Sequence, residues 1–239
     1  MTDLHPASEP GAAPAASRNA GSQTLDRGIR ALEMVAAAPE GMTVQQVADR
    51  LDVHRTIAHR LLATLTDHHL IARGPDNRFR AGGGLAALAS GLHSTLRDTA
   101  MPIMRELAED LQSTVALLVR EGEEVVAIAV ATPVSAAYHL AFRTGSRHPL
   151  GRGSAGICLL SALPGRPGER PEVTWARTQG FSVSKGEVEP GAYGLAVLIR
   201  QGGDDPNACL NLITYRDDVM ARAAPVMIDG ATRISALLS

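Results

Sequence analysis

The first third of the chain places apolar residues at the three- and four-residue spacing of amphipathic helices. In LDRGIRALEMVAAA this spacing is kept by Leu25, Ile29, Leu32 and Ala36. A Pro-Glu-Gly run at residues 39–41 ends this predicted helix. Next, Thr43 and Gln46 stand at the spacing of a capping box, which predicts a second helix over MTVQQVADRL. Asp52 follows in a tight connection to a third helix.

The third predicted helix, in LDVHRTIAHRLLATL, carries an apolar and a polar face. Its apolar stripe consists of Ala58, Leu61, Leu62 and Leu65. On the opposite side, near the helix start, lie Arg55, Thr56, His59 and Arg60. Such a polar face is either an ordinary solvated surface or a surface that contacts DNA bases in the major groove.

A β-hairpin is predicted directly after the third helix. The short runs LIAR and RFRA are joined by Gly-Pro-Asp-Asn at residues 74–77, which is a strong turn sequence. Arginines flank the turn at Arg73, Arg78 and Arg80. The order helix, helix, turn, helix, hairpin is that of a winged helix-turn-helix over residues 23–82, with the basic hairpin placed to contact phosphates.

The rest of the chain predicts a linker helix and an α+β domain. Residues 83–97 form the predicted linker, which presents an apolar stripe of Leu85, Leu88, Leu92 and Leu96. A further helix is predicted after a break near Asp98, and residues 98–239 form the second domain. Two strands are predicted around residues 121–123, a third over residues 136–143 and a helix over residues 152–163. GFSVSKGEVEPGAYGLAVLIR is predicted as a loop that continues into a strand, ACLNLITYR as another strand, and the residues from Asp217 onward as a final helix.

Composition narrows the class of protein. The net charge is −2, so any basic surface that binds nucleic acid must be local. Two widely separated cysteines, Cys158 and Cys209, are too few for a disulfide scaffold and indicate buried reduced thiols. Residues 1–22 are rich in Ala, Pro and Ser, which predicts a disordered tail rather than a secretory signal. Without an apolar run of the roughly 18–20 residues that span a bilayer, we expect a cytoplasmic protein with no membrane partner.

Other chemistries fit the sequence poorly, and we expect no catalytic residues, cofactor or metal. Residues 151–156 match GxGxxG, but a dinucleotide site needs this motif directly after a buried strand and an acidic residue about 20 residues on, at the end of the next strand. Here Arg-His-Pro at residues 147–149 precedes the motif, and a Pro/Gly loop follows the helix. Arg152 breaks the GxSxG pattern of a hydrolase around Ser154. The adjacent His68 and His69 cannot share one helix face, which argues against a histidine metal site.

The order of these segments resembles the IclR family of bacterial transcriptional regulators. The resemblance rests on LDRGIRALEMVA, TVQQVADRLDVHRTIAHRLLATL and the basic hairpin, and then on GSRHPLGRGSAG and GFSVSKGEVEPGAYGLAV. It extends from residue 24 to residue 239, and the order and spacing of the segments are more specific than any one of them. It implies a winged helix-turn-helix, a dimerising linker helix and a GAF/PAS-like effector-binding domain. It also implies a homodimer or homotetramer that binds a palindromic double-stranded DNA operator under the control of a small-molecule effector.

The resemblance also implies site residues. By motif position, the DNA contacts are Arg55, Thr56, His59 and Arg60, and the effector cavity is lined near Ser154, Ala155, Ser184, Gly194, Asn211 and Ile213. The chain departs from the family at Asp52, where a glycine is usual, and in a shortened segment after Leu163. Ser184 and Asn211 stand where other members often have an acid and a serine. The effector therefore need not be the small carboxylate usual in the family.

Alternation along ACLNLITYR supports the same cavity. It places Cys209, Asn211 and Ile213 on one face of the strand and leaves Asn211 as an amide among apolar neighbours. A buried amide needs hydrogen-bond partners, which either a bound metabolite or neighbouring protein and water can supply.

We therefore expect a DNA-binding transcriptional regulator that responds to an effector. The alternative is an enzyme or sensor of small molecules whose N-terminal helices serve only assembly. Arginines on both the third helix and the hairpin favour the regulator, because an assembly module does not need them at both places.

Overall fold

The computed structural model describes residues 21–134, 142–200 and 207–239. The chain divides into two compact units, one ending at Leu92 and the other running from His93 to Ser239. Most of the predicted N-terminal tail lies outside the described residues. No helix of the described ranges is both long enough and apolar enough to cross a membrane.

The first unit has the predicted order of elements. It consists of α1 (Gln23–Ala36), α2 (Val44–Leu51), α3 (Arg55–Asp67), β1 (Ile71–Arg73), β2 (Phe79–Ala81) and α4 (Gly84–Ser90). Strands β1 and β2 pair antiparallel, which confirms the hairpin. The three-helix core is closed by Ala31, Val35, Val47, Ala58, Leu62 and Ile71.

Local sequence determines how α2 begins and ends. The Thr43 hydroxyl accepts from the Gln46 backbone N–H at 3.3 Å, and the Gln46 side-chain oxygen accepts from the Thr43 N–H at 2.9 Å, so the capping box is present. At the other end Asp52 adopts a left-handed conformation, with φ of 52°. An aspartate tolerates this conformation better than most residues, and the turn between α2 and α3 therefore forms without glycine.

The predicted linker helix over residues 83–97 is wrong. The chain forms α4, turns over residues 91–93, and then begins α5 (Ser94–Leu111), which continues through Asp98 without the predicted break. Gly91 lowers the helix propensity at the break, and His93 is left-handed, with φ of 47°. The leucine stripe is consequently divided, because Leu88 and Leu92 are exposed in the first unit whereas Leu96 is buried in the core of the second.

The second unit is a six-stranded sheet with helices on both faces. Its strands are β3 (Thr114–Glu121), β4 (Glu124–Ala131), β5 (Arg147–Pro149), β6 (Phe181–Lys185), β7 (Tyr193–Ile199) and β8 (Ala208–Thr214). They lie in the order β5-β4-β3-β8-β7-β6, and every neighbouring pair is antiparallel. The helices are α5, α6 (Gly153–Ser161), α7 (Pro171–Gln179) and α8 (Asp217–Leu238). This architecture confirms the α+β class.

The two faces of the sheet bury separate cores. Leu210 and Leu212 of β8 point into the larger core with α5 and α8, whereas Cys209 and Ile213 pack on the other face with α6. This is the predicted alternation along β8. Asn211 lies on the α6 face and is 6% exposed.

Two strands were not predicted. Strand β5 at one edge of the sheet falls in a segment expected only to precede a helix, and β6 at the other edge falls in the segment expected to be a loop. Ser182 of β6 is fully buried, and its hydroxyl is satisfied there because it donates to the Ser154 carbonyl of α6 at 2.6 Å. Of the strand predicted over residues 136–143, residues 136–141 lie outside the described ranges, and Phe142 and Arg143 form no strand.

Candidate nucleic-acid interface and ligand cavity

The N-terminal half of α3 presents a polar face to solvent. Arg55, Thr56, His59 and Arg60 are all exposed. On the opposite side Ala58 and Leu62 are fully buried against the other helices of the unit, so the orientation of α3 about its own axis is set by its apolar stripe.

The helix start is held by a histidine. His54 is the N-cap of α3, and its Nδ1 accepts from the Thr56 backbone N–H at 3.3 Å. Arg55 and Arg60 form no ion pair with any residue of the described ranges. Their guanidinium groups are therefore available to an external anion or to the edge of a base.

The arginines of the hairpin differ in availability. The Arg80 guanidinium is held by the Asp76 carboxylate at 2.7 and 3.0 Å, and this pairing keeps the pKa of Asp76 far below its usual range. Arg78 donates to the Gly41 carbonyl at 3.1 Å and to the Gln46 side chain at 3.3 Å. Both groups are therefore occupied within the protein. Arg73 remains exposed, with its guanidinium carbon 5.8 Å from the centre of the Phe79 ring.

All of the residues predicted to bind an effector line one cavity in the second unit, between α6 and the β6–β8 side of the sheet: Ser154, Ala155, Ser184, Gly194, Asn211 and Ile213. The structure therefore brings together positions spread over some sixty residues of sequence. The cavity holds about 30 Å³, which is room for only one or two water molecules. A larger ligand has to displace lining side chains.

Three serine hydroxyl groups form hydrogen bonds between the elements that make up the cavity wall. The Ser154 hydroxyl donates to the Asn211 side-chain oxygen at 2.7 Å, and the Ser184 hydroxyl accepts from the Ser154 backbone N–H at 2.8 Å. Together with the Ser182 contact, these bonds fasten the first turn of α6 to β6 and β8. One polar end of the Asn211 amide is therefore satisfied by the protein itself.

The glycines of this region permit close packing. A Cβ on Gly194 would lie 2.2 Å from the Ser154 hydroxyl oxygen, and a Cβ on Gly156 would lie 2.7 Å from the Gly151 backbone nitrogen. Gly153 has φ of 69°, which few other residues adopt. The GxGxxG match thus shapes a tight turn into α6, and the antiparallel sheet lacks the parallel strands that a dinucleotide site requires.

Sequence reasoning missed four polar residues that line the cavity: His148, Glu187, Glu189 and Tyr193. The Glu187 carboxylate accepts from the Gly153 backbone N–H at 2.9 Å and binds the Arg170 guanidinium through both of its oxygens, each at 3.1 Å. These contacts, chiefly the pairing with Arg170, lower the pKa of Glu187. Glu187 stands three residues beyond Ser184, but no local pattern indicates that it reaches a helix start 34 positions away.

His148 is a buried cavity residue, 7% exposed. Burial lowers its pKa, the charge of Arg152 acts in the same direction, and the Pro149 carbonyl opposes both. The shift favours the neutral ring. If Nδ1 donates to the Pro149 carbonyl 3.2 Å away, Nε2 is an acceptor.

The two cysteines lie in the core beneath this cavity. Cys158 of α6 and Cys209 of β8 are both buried and unbridged. Burial, together with the neighbouring Cys158 thiol, raises the pKa of Cys209 well above its usual range. The structure confirms the prediction of buried reduced thiols.

Comparison with known proteins identifies both units. The model of the IclR helix-turn-helix domain matches residues 24–75, and the model described as bacterial transcriptional regulator IclR C-terminal matches residues 90–170. Together the two models match more than half of the chain.

Curated relatives are regulators of the same type. The HTH-type transcriptional regulator Rv1719 of Mycobacterium tuberculosis is 26% identical over 149 residues, which are 62% of this chain and 57% of the relative. The HTH-type transcriptional regulator TtgV of Pseudomonas putida is 26% identical over 145 residues, 60% of this chain and 56% of the relative. The matched region thus spans less than two thirds of either relative.

Solved structures share the fold over nearly their whole length. An IclR homolog of Microbacterium hydrocarbonoxydans, complexed with 4-hydroxybenzoate, has a TM-score of 0.75 and 24% identity, covering 90% of this chain and 99% of that one. The IclR protein of Thermotoga maritima has a TM-score of 0.72 and 20% identity, covering 90% and 98%. At these identities the likeness concerns the fold.

Proposed function

The chain belongs to the IclR family of bacterial transcriptional regulators, and from that premise we propose that it is a sequence-specific DNA-binding regulator controlled by a small-molecule effector. The observation that carries the proposal is the exposed face of α3. Arg55, Thr56, His59 and Arg60 project from the N-terminal half of this helix, where a helix-turn-helix contacts base edges. The two arginines are the side chains suited to guanine, and neither has an internal ion-pair partner among the described residues.

The hairpin contributes phosphate contacts in this proposal through Arg73. The sequence places Arg73, Arg78 and Arg80 alike beside the turn, but Arg78 and Arg80 are bonded within the protein. Their role is to hold the hairpin against the turn before α2, since each donates to a backbone carbonyl of residues 40–41. Arg73 carries the exposed charge.

We further propose a homodimer, or a tetramer built from dimers, on a palindromic operator. One helix-turn-helix contacts only half of a symmetric site, so symmetric binding requires a second copy. Leu88 and Leu92, 72% and 47% exposed, give each copy an apolar surface on and beside α4 that a second copy can cover.

The effector site in this proposal is the cavity at the start of α6. It lies between β6–β8 and α6, the last of which falls within the residues 90–170 matched by the C-terminal model, and a structural neighbour was solved with 4-hydroxybenzoate bound. Because the cavity is small, an effector has to displace its walls. Such movement in the second unit is the means by which binding would change affinity for DNA.

We place the DNA-binding domain at residues 23–82 and the effector domain at residues 98–239, and correct the segment between them to α4, a turn and the start of α5. We propose no catalytic role, because the matched relatives are transcriptional regulators. We also propose that the protein is located in the cytoplasm, where bacterial DNA is found. The competing function is a small-molecule enzyme or sensor with N-terminal helices used only for assembly. The unpaired arginines of α3 argue against it.

Binding to the DNA upstream of the protein's own gene tests the proposal. A band shift titration should show specific binding that competitor DNA does not abolish. Arg60→Ala should weaken it by about 1–3 kcal/mol if Arg60 contacts a base. The matched control is Arg222→Ala, which removes an exposed arginine from α8 of the other unit. A folded Arg60→Ala protein with unchanged affinity would refute the placement of α3 in the groove. No DNA binding by the parent protein would favour the assembly alternative.

A further inference from the structure

The start of α6 is already occupied by a carboxylate of the protein itself. The first two backbone N–H groups of this nine-residue helix are taken, that of Gly153 by the Glu187 carboxylate and that of Ser154 by the Ser184 hydroxyl. Free N–H groups at a helix start, together with the helix dipole, are what binds an anionic ligand. Here Glu187 fills that position.

The cations near the cavity are also engaged. Arg170 binds both oxygens of Glu187 and is fixed by a third bond to the Gly151 carbonyl at 2.8 Å. The Arg152 guanidinium donates to the Glu187 carbonyl. Among the described lining residues there is no lysine or arginine, but there are two carboxylates, Glu187 and Glu189. An incoming carboxylate would therefore meet like charge without a free cation.

The deep wall of the cavity offers neutral hydrogen-bonding groups instead. Asn211 is buried, with 6% of its surface exposed. Among the described residues only the oxygen of its side-chain amide has a hydrogen-bond partner, the Ser154 hydroxyl. Asn211 is one of the residues that line the cavity. His148 lines the same space, and its burial favours the uncharged ring. A ligand hydroxyl or amide can pair with both groups and leave no charge buried.

We propose that this cavity selects uncharged ligands that carry a hydroxyl or amide group, and that Glu187, held by Arg170, is the residue that excludes carboxylates. The inference rests on the proposed effector site and names the class of ligand that the site accepts. Glu187 acts as a built-in substitute for the carboxylate of an anionic effector. Its removal should convert the start of α6 into an anion site, because the Gly153 N–H and the two guanidinium nitrogens of Arg170 that now bind Glu187 would lose their anionic partner, while Arg170 keeps its bonds to Gly151 and Glu172.

Three probes of one shape test this selectivity: 4-hydroxybenzamide, 4-hydroxybenzoate and 4-hydroxybenzylamine, which are neutral, anionic and cationic at neutral pH. Binding to the full-length protein is measured by calorimetry. We expect the amide to bind about tenfold or more tightly than the acid, since like charges placed together are strongly unfavourable. We also expect it to bind more tightly than the amine, because burying an ammonium group costs its hydration while Glu187 is already paired with Arg170. In Glu187→Gln the acid should gain about tenfold in affinity relative to the parent protein.

The matched control is Glu106→Gln. Glu106 on α5 is also held by an arginine, Arg233, at 2.7 and 2.8 Å, but it lies outside the cavity lining. It changes net charge equally and should leave the three affinities unchanged. The parent protein's preference among the probes can be measured whether or not Glu187→Gln folds.

The contrary results distinguish failure of the ligand inference from failure of the proposed function. Preference of the parent protein for the acid or for the amine would overturn the inference, as would an unchanged acid affinity in folded Glu187→Gln. Failure of all three probes to bind at millimolar concentration would overturn it as well. If the parent protein still shifts its upstream DNA in any of these cases, the regulator function stands and only the ligand class is wrong. Absence of DNA binding would instead count against the proposed function itself.

Discussion

The Ser154 hydroxyl on α6 donates to the side-chain oxygen of Asn211 on β8 over 2.7 Å, across 57 positions of sequence. Both residues are buried, at 3% and 6% exposure. The bond therefore fastens the start of a helix to one of the two central strands of the sheet. It also supplies one partner of the Asn211 amide from within the protein and leaves the other end for a ligand or water.

This bond predicts energetic coupling between the two side chains. Asn211→Ala should lower the free energy of unfolding by about 1–3 kcal/mol, because it leaves the buried Ser154 hydroxyl without its acceptor. Adding Ser154→Ala to that variant should cost less than Ser154→Ala costs alone. Urea unfolding of both single variants and the double variant measures the coupling. Strictly additive losses would show that the bond contributes nothing, and Ser90→Ala, at an exposed serine, should change little.

Close packing at Gly194 predicts a cost for the smallest side chain. Gly194→Ala places a methyl group 2.2 Å from the Ser154 hydroxyl oxygen and 3.1 Å from that of Ser184. Overpacking of this kind should cost about 1–3 kcal/mol. The matched control is Gly28→Ala within α1, where a Cβ meets nothing within 4 Å. It should gain about 0.5–1 kcal/mol from helix propensity. Thermal unfolding distinguishes the two, and equal melting temperatures would contradict the packing at Gly194.

The hairpin arginines should separate into DNA contact and stability. Arg73→Ala should weaken binding to specific and unrelated DNA alike and reduce the slope of log affinity against log salt by about one. Arg78→Ala should instead lower the free energy of unfolding by about 1 kcal/mol, through loss of its bonds to Gly41 and Gln46. Anisotropy titrations at several salt concentrations and urea unfolding measure the two effects. A salt slope reduced by Arg78→Ala and not by Arg73→Ala would reverse the assignment.

Exposed leucines predict the surface of self-association. With both Leu88 and Leu92 changed to Glu, the dimer should dissociate, because charge replaces the apolar surface that a second copy would cover. Light scattering at micromolar concentration should report a dimer for the parent protein and a monomer for this variant. Leu237→Glu, which alters a leucine 68% exposed on α8, serves as control and should remain dimeric. A monomeric parent protein, even with operator DNA present, would contradict the proposed assembly.

Much of the fold followed from the sequence because the deciding interactions are local. The capping box of Thr43 and Gln46 acts within one helical turn, and the left-handed Asp52 belongs to a single connection. The turn at residues 74–77 joins strands that are adjacent in sequence. Alternation along β8 correctly placed Asn211 on the same face as Cys209 and Ile213, because successive side chains of a strand point to opposite sides, and the structure packs that face on α6.

The sequence pattern did not predict that the helix after β2 is interrupted. Leucine spacing continues through residues 85–96 as though one helix were present, but the chain turns at residues 91–93. Leu96 then enters the core of the second unit with Ile103, whereas Leu88 stays exposed. Periodicity records which residues could share a face, and tertiary packing decides whether they do.

Strand β6 is a second case in which the sequence pattern did not predict which side chains are buried. Serines alternate with Phe181 and Val183, a pattern that indicates polar residues facing solvent. In the structure Ser182 is fully buried against α6, and Val183 at the sheet edge is 41% exposed. A polar face can be buried only where another element supplies hydrogen-bond partners, and that element is distant in sequence.

Sequence by itself determined the family, helices α1 to α3 of the first unit and six of the residues that line the cavity, but not Glu187 or His148. Only the tertiary structure decided which charges are free. Arg80 is neutralised by Asp76 and Arg170 by Glu187, whereas Arg60 has no ion-pair partner among the described residues. Ion pairs depend on distances of a few ångströms. The hairpin sets that distance for Asp76 and Arg80, four residues apart, whereas the packing of separate segments sets it for Arg170 and Glu187, 17 residues apart. Composition gives the number of charged residues, whereas the fold determines which of them form ion pairs.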